Sequence, residues 1–184
     1  MVLSNDTGGG LSYAIGGFAG TGREYGFRYK SDSSNVTFKL NDSSIVSAWE
    51  DTTLRYRWGA AYFGAVFSHL SMKAKKVGED YINIAGGGVG GNAGVLLPVG
   101  KVGVVGFDYT TVTMGELVNG LADSGTVKMG PRADIDVMGA FNVTPDLLDV
   151  LVGYQQRTYT VTVEETFKEE YYMTYVGIRL SLYF

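Results

Sequence analysis

Hydrophobic and polar residues alternate strictly along the last stretch of the chain, residues 172–184. One set of alternate positions is apolar and consists of Val176, Ile178, Leu180, Leu182 and Phe184. The positions between them include Arg179 and Ser181. A period of two residues is typical of a β-strand whose two faces meet different surroundings. We therefore predict a strand over 169–184, with an apolar face that ends on an aromatic ring.

Two earlier segments alternate in the same way. Between residues 126 and 141 the predicted apolar face consists of Val127, Met129, Pro131, Ala133, Ile135, Val137 and Phe141. The opposite face carries Lys128, Arg132, Asp134 and Asp136. Near the N-terminus, Tyr25, Phe27 and Tyr29 alternate with small or polar residues, and Ser31–Ser34 is predicted to turn the chain into a second strand. A soluble sheet would place such charges in water, whereas a barrel in lipid would place them inside.

The complete pattern predicts a closed antiparallel barrel of eight strands, at 10–30, 35–48, 53–72, 80–97, 101–112, 123–142, 148–163 and 169–184. Short connections are predicted at Pro98–Gly100 and Asn142–Asp146, and longer ones at 73–79, 113–122 and 164–168. An even number of strands places both termini on the same side. A ten-strand alternative divides the first segment at Gly20–Gly22 and adds a turn near Asn41–Ser44.

The end of the chain resembles the closing strand of bacterial outer-membrane β-barrels. In that family the C-terminal aromatic residue, with apolar residues at alternate positions before it, is the signal that the barrel-assembly machinery recognises. The resemblance implies a lipid-facing assembly signal made of Val176, Ile178, Leu180, Leu182 and Phe184. It also implies a location in the bacterial outer membrane, in contact with lipid and lipopolysaccharide, and a barrel similar to the OmpA-like and OmpX-like class.

Composition narrows the chemistry. Gly accounts for 27 of the 184 residues, well above the usual ~7%. The absence of Cys excludes disulfides, thiol catalysis and thiolate metal sites. A net charge of −4 with scattered Lys and Arg gives no reason to expect nucleic-acid binding. The first residues, Met1–Asp6, lack the basic and apolar regions of a signal peptide, so we interpret the sequence as a mature form with an added Met1.

If the apolar faces point to lipid, strand parity places charged residues inside the barrel. This predicted interior set consists of Glu24, Arg28, Lys39, Arg55, Arg57, Arg132, Asp134, Asp136 and Arg179. An eight-stranded barrel is just wide enough for side chains to fill it. Buried charges persist only when they have partners, so we expect a charge network that blocks the lumen. The pattern does not say which residues pair.

His69 and Ser71 form a His-x-Ser pair on one face of a predicted strand. The pair resembles the core of the lipid A deacylases, outer-membrane serine hydrolases with a Ser-His-Glu triad. That resemblance implies that His69 activates Ser71, with Glu79 or another acid orienting the ring. However, the family follows its serine with Asn, whereas Met72 stands here. We therefore expect an ordinary polar pair near the outer rim and no catalysis.

The glycine-rich segment Ile84–Gly94 lacks the Gly-Lys-Ser/Thr ending of a phosphate-binding loop. Two explanations stay open: the glycines let the strand bend to close a narrow barrel, or they form a smooth face for a lipid chain or another subunit. The bend is the favoured explanation, because small barrels commonly need such kinks.

We expect a single-domain, monomeric outer-membrane protein without enzymatic activity, cofactor or metal. Its role would be envelope structure, surface interaction or limited passage of a small solute. One alternative is a lipid A deacylase-like hydrolase that uses His69 and Ser71. The other is a soluble, lipocalin-like binder of an apolar ligand, with the same alternation turned inside out.

Overall fold

The computed structural model describes residues 8–22, 24–38, 43–76, 79–119, 127–144, 148–162 and 166–180. Over these residues the chain forms one antiparallel sheet, and none of it is a helix long and apolar enough to cross a membrane. The strands are β1 (Gly8–Ala19), β2 (Tyr25–Phe38), β3 (Ser43–Trp58), β4 (Ala61–Lys76), β5 (Glu79–Val99), β6 (Gly103–Met114), β7 (Glu116–Asn119), β8 (Val127–Met129), β9 (Arg132–Thr144), β10 (Leu148–Thr162) and β11 (Thr166–Leu180). The predicted all-β antiparallel fold is confirmed.

The strands follow an up-and-down meander. β6 and β7 are two parts of one run, interrupted at Gly115, and β8 and β9 are two parts of another, interrupted at Gly130 and Pro131. In the described residues the eleven strands therefore make nine successive runs, and the predicted number of eight is wrong. Two of the predicted strands, 10–30 and 53–72, each contain a turn. These turns lie at Gly20 and Gly59, where the φ angles are positive, at 100° and 60°. The ten-strand alternative contained the first of these turns but not the second.

The turn predicted at Ser31–Ser34 is also wrong. β2 pairs without interruption with β1 and with β3 through this segment. Its polar composition has another cause, because Asp32 is buried and accepts hydrogen bonds from Ser12 and Arg157. A polar residue at this position therefore marks the inward face of a strand and not a turn.

The sheet curls around an interior. Arg157 on β10 donates a hydrogen bond of 2.8 Å to Asp32 on β2, although six strand pairings separate β2 from β10 in the sheet. In a flat sheet those strands would lie about 29 Å apart. Over the described residues β1 pairs only with β2, and β11 pairs only with β10. With nine runs, β1 and β11 point in the same direction, which differs from the predicted even-numbered arrangement.

The two ends of the curled sheet differ in their connections. The turn end carries the turns after β1, β3 and β5, including Gly59 and Gly100. The loop end carries the connections after β2, β4, β7 and β10, which lie outside the described residues. These two names are used below to locate residues along the interior.

The interruptions at Gly115 and at Gly130–Pro131 change which residues face inward. Val127 and Met129 are buried and Lys128 is exposed, whereas the sequence pattern placed all three on the opposite faces. Pro131 has no N–H to donate to a ladder, and the Gly130 N–H bonds instead to the carbonyl of Thr160. One extra residue reverses the alternation. Beyond the break, Ile135 and Val137 point outward as predicted.

Candidate functional site: the charged interior

Most of the inward-facing charges in the described residues form a balanced set between the turn end and the middle of the sheet. Ion pairs join five cations with five carboxylates, and none of these ten side chains is more than 19% exposed. We call this set the interior charge network: Arg28, Lys30, Arg55, Arg132, Arg157, Asp32, Asp51, Asp108, Asp134 and Asp136. Equal numbers of both signs make mutual pairing possible, and pairing is the condition under which charges are tolerated in an interior.

Arg132 lies at the centre of the network and is fully buried. Its two terminal nitrogens bind the carboxylate of Asp51 at 3.1 and 2.6 Å, in the two-pronged geometry that suits a guanidinium and a carboxylate. Ser68 donates to Asp51 at 2.6 Å and accepts from Arg132 at 3.1 Å. The three side chains come from β3, β4 and β9, so this contact crosses the interior.

Arg157 makes a second two-pronged contact. Its guanidinium donates to both oxygens of Asp134 at 2.9 and 3.0 Å. One nitrogen also reaches Asp32 at 2.8 Å. Since Asp134 lies 3.3 Å from Arg132, the two arginines share this carboxylate. The chain of contacts therefore runs from β3 through β9 and β10 to β2.

A second centre surrounds Asp108, nearer the turn end. Its carboxylate accepts from Arg55 at 3.0 Å, from Tyr62 at 2.5 Å and from the Asn92 amide at 2.6 Å, and it lies 3.5 Å from Arg28. The guanidinium of Arg55 also lies 4.6 Å from the centre of the Tyr62 ring. Every oxygen of Asp108 thus has a donor, and Asn92 is the one polar residue in the glycine-rich segment of β5.

Lys30 connects the charges of β2 with those of β9. Its ammonium lies 3.4 Å from Asp32 and 3.5 Å from Asp136, and it donates to Gln155 at 3.1 Å. Tyr175 on β11 donates to Asp136 at 2.7 Å. Through this phenol the network reaches β11, the last strand of the sheet.

The loop end of the interior is apolar. Buried side chains pack there into one cluster, which we call the apolar plug: Trp49, Val66, Leu70, Met72, Ile84, Val112, Met114, Leu117, Val127, Met129, Tyr159 and Val161. Trp49 forms the boundary with the charges, because the guanidinium carbons of Arg132 and Arg157 lie 4.6 and 5.2 Å from its ring centre. Aromatic faces attract cations at such distances.

The structure places the predicted interior residues in three groups. Five of them belong to the interior charge network: Arg28, Arg55, Arg132, Asp134 and Asp136. Glu24 and Arg57 lie at the turn end. There the Arg57 side chain donates to the backbone carbonyl of Gly59, and the backbone N–H of Arg57 donates to the backbone carbonyl of Glu24. Lys39 and the side chain of Arg179 lie outside the described residues.

Sequence reasoning missed half of the network: Lys30, Asp32, Asp51, Asp108 and Arg157. Asp32 and Asp51 fell into predicted connections, although both lie well inside strands. Correct strand bounds would have found Asp51, because it shares the parity of Arg55 on β3. Arg157 and Asp108 lie within predicted strands, so their strand parity is the signal that would place them on the inward face.

His69 and Ser71 lie on the outward face of β4. Opposite His69 stand Glu50 on β3 and Gly87 on β5. Glu79 is eight residues along β5 from Gly87, a distance of about 26 Å, so it cannot orient the His69 ring. A buried serine with a close carboxylate lies instead on the inward face, where Ser68 donates to Asp51.

The glycines of β5 face large inward side chains. A Cβ on Gly86 would overlap Leu117, and one on Gly94 would overlap the Tyr62 ring. The outward Gly87 has open space apart from the Ser68 carbonyl at 3.5 Å. The inward glycines therefore make room for residues that fill the interior, a reason that neither sequence explanation gave.

In the described part of the chain 28 large apolar residues are exposed, nearly all of them on the outward face of the sheet. Those of β11 include Val176 and Ile178, at 78% and 70% exposure, while the side chain of Leu180, and Leu182 and Phe184, lie outside the described residues. Near the turn end Tyr56 packs between Tyr25 and Phe63, with ring centres 5.6 and 5.5 Å apart. Monomeric soluble proteins rarely expose apolar surface on this scale.

In the part of the chain that the structure describes, no group of three or more His, Cys, Asp or Glu side chains could hold a metal ion. Comparison of the chain with protein-family models, with curated proteins and with solved structures gives no match. Its function is therefore inferred from the fold and from the arrangement of its two faces.

Proposed function

We propose that this protein is a monomeric bacterial outer-membrane β-barrel, similar in class to OmpA-like and OmpX-like barrels, with a non-enzymatic role in envelope structure or surface interaction. The observation that carries the proposal is the inverted distribution of polarity. Among the described residues, charged side chains are buried inside the curled sheet, and nearly all of the 28 exposed large apolar residues lie on its outside. A membrane barrel needs an outward apolar band and tolerates a polar interior.

The filled interior supports a structural role over solute passage. The contacts of Arg132 with Asp51 and of Arg157 with Asp32 cross it in the middle, and the apolar plug occupies the loop end. A conducting barrel needs a continuous polar path, and the side chains that meet across the interior argue against one. The same packing opposes the lipocalin-like alternative, since an apolar ligand would have to displace paired charges or the plug.

The two tryptophans test the membrane location. Trp58 is 80% exposed on the outward face, and Trp49 is buried beside Arg132. We expect brominated lipid to quench the fluorescence of a Trp49→Phe variant, which retains Trp58, far more than that of a Trp58→Phe variant. Equal weak quenching, together with full solubility in buffer without detergent, would contradict the proposal and favour the soluble binder.

Planar-bilayer recording tests the filled interior. The purified protein should give no stable conductance. A steady ion current at neutral pH would contradict the structural role and promote limited solute passage. The hydrolase alternative has its own measurement: release of acyl chains from lipid A that disappears in both His69→Ala and Ser71→Ala.

A further inference from the structure

The outward face of the sheet changes from apolar to polar partway along its strands. On β6 the outward residue Tyr109 is followed, away from the turn end, by Thr111 and Thr113. On β10 Tyr154 is followed by Gln156, and the outward residues beyond it are all threonines. Toward the turn end, the outward residues of both strands are aliphatic or aromatic. We call the parts of the strands on the two sides of this change the turn-end section and the loop-end section.

The inner face changes at the same place and in the opposite sense. On β6 the inward Asp108 belongs to the interior charge network, whereas Val112 and Met114 belong to the apolar plug. On β10 Arg157 belongs to the network, and Val161, nearer the loop end, belongs to the plug. The turn-end section is therefore charged inside and apolar outside, and the loop-end section has the reverse arrangement.

Three further strands, β3, β4 and β8, follow the same pattern. Their outward charges all lie in the loop-end section, and these are Glu50, Lys73, Lys75 and Lys128. In the described residues of β3, β4, β6, β9 and β10, the turn-end section carries no outward charge. One residue departs from the pattern, since Val46 lies in the loop-end section and is 47% exposed.

The length of β5 indicates how much of the sheet a membrane would cover. Its exposed large apolar residues extend from Val89 to Val99 at the turn end. This length is similar to the about 9–11 residues with which a strand crosses the hydrocarbon of a bilayer. β5 has 21 residues in all, so about half of it extends beyond that length.

We propose that lipid contacts only the turn-end section, and that the loop-end section stands in water as an extension built around the apolar plug. A sheet in water places polar residues outside and apolar residues inside, whereas a membrane barrel needs an outward apolar band. The inference rests on the proposed membrane location and adds which part of the outward face is embedded. The polar outer wall of the loop-end section is then the part of the outward face that a water-soluble partner can reach.

The absence of Cys allows single labelling sites to be introduced. Phe107→Cys and Thr113→Cys occupy outward positions of β6 in the two sections, and Phe67→Cys and Lys73→Cys do so on β4. The variants are placed in lipid nanodiscs, which leave both sides of the bilayer open. A charged maleimide should label Thr113→Cys and Lys73→Cys about tenfold faster than their partners, because hydrocarbon excludes water and polar reagents. In urea all four variants should react alike.

Each other result of the labelling contradicts the inference in a different way. Equally slow labelling of both members of a pair would place the loop-end section in lipid and overturn the inference, while the membrane location would stand. Equally fast labelling of all four variants in the nanodisc sample would show that the chain is not embedded, and both proposals would fall. Slow labelling of Phe67→Cys and Phe107→Cys in buffer without lipid or detergent would mean that a second copy covers these residues, which would also overturn the inference.

Insertion of a charge on β10 is an independent test. Val152→Arg should lower the ratio of folded to unfolded chain in phosphatidylcholine vesicles about tenfold or more, because an arginine on a lipid-facing surface is strongly unfavourable. Thr160→Arg, in the loop-end section, should leave this ratio nearly unchanged. Val152→Thr separates the effect of the charge from that of lost packing. An equal loss in both arginine variants, or no loss in either, would overturn the inference.

Discussion

The interior charge network and the apolar plug occupy the same curled sheet, yet they are held in different ways. Between the turn end and the middle, position is set by directional contacts such as the pair of hydrogen bonds from Arg132 to Asp51. At the loop end it is set by packing of side chains such as Leu70 and Leu117, which are fully buried. This difference affects how much a substitution lowers the free energy of unfolding. It also affects which inward-facing residues can be predicted from the sequence.

A substitution destabilises the two regions for different reasons. Removing one partner of a buried ion pair leaves the other charge uncompensated, whereas removing a buried methyl group leaves a cavity. The first change costs more when the remaining charge cannot reach water. Variants in the two regions, each with an outward-facing control, therefore measure how far the regions differ.

The largest effect is expected for Arg132→Met. The substitution leaves Asp51 without its guanidinium and removes one of the two cations at Asp134. Loss of one partner from a buried pair costs about 3–5 kcal/mol in the free energy of unfolding. Urea unfolding in detergent, followed by the fluorescence of Trp49, measures the change.

The exposed Lys128 provides the control, since Lys128→Met should change the free energy of unfolding by less than about 0.5 kcal/mol. The double variant Arg132→Met, Asp51→Leu should be more stable than Arg132→Met alone, because it removes the uncompensated carboxylate. A loss below about 1 kcal/mol in the single variant would mean that water reaches Asp51 and that the interior is open.

Leu70→Ala should have the next largest effect. Leu70 is fully buried in the apolar plug, and comparable substitutions cost about 2–5 kcal/mol through lost transfer energy and the cavity that remains. Phe67 lies three residues earlier and is exposed on the outward face, so Phe67→Leu should cost less than about 0.5 kcal/mol. Similar losses in both variants would contradict the distinction between a packed inner face and an exposed apolar outer face.

The glycines of β5 allow a smaller and sharper comparison. Gly86→Ala places a methyl group against Leu117 and should cost about 1–3 kcal/mol, whereas Gly87→Ala meets open space and should be neutral or slightly stabilising. The same unfolding measurement compares them. If Leu117→Ala in the same chain does not reduce the cost of Gly86→Ala, then crowding inside the plug is not the reason for glycine at this position.

The contrast between the two regions also explains which features could be predicted. Charges on alternate positions share one face of a strand, so Arg132, Asp134 and Asp136 could be placed inside from parity together with the expectation of a barrel whose apolar face points outward. An apolar residue does not indicate by itself which face of the sheet it occupies. Val127 and Met129 look the same in the sequence whether they face outward or into the plug, and the break at Gly130–Pro131 decides between the two.

The remaining features could not be predicted because the ends of the strands were not evident from the sequence. The positive φ angle at Gly59 turns β3 into β4 without a polar loop, so the sequence offers a weak turn signal there. Asp32 and Asp51, in contrast, look like turn residues but are buried ion-pair partners. The partners come from strands far apart in the chain, so no local pattern names them. Their pairing follows from the curl of the whole sheet.

The smallest loss in the free energy of unfolding is expected for Tyr175→Phe, because this substitution removes a neutral hydrogen-bond donor and no charge. The Tyr175 phenol donates to Asp136 at 2.7 Å and is the contact through which β11 joins the interior charges. Asp136 keeps Lys30 at 3.5 Å after the substitution, so its charge stays compensated. The loss should therefore be that of one hydrogen bond to a carboxylate, about 1–2 kcal/mol.

Tyr172 supplies the matched control on the same strand. Its phenol donates to the exposed Glu170 at 2.7 Å on the outward face, so Tyr172→Phe should leave the free energy of unfolding nearly unchanged. Thermal unfolding in detergent separates the two variants. If Tyr175→Phe were as costly as Arg132→Met, Lys30 would not be compensating Asp136, and the network would depend on the phenol of β11 as much as on its central arginine.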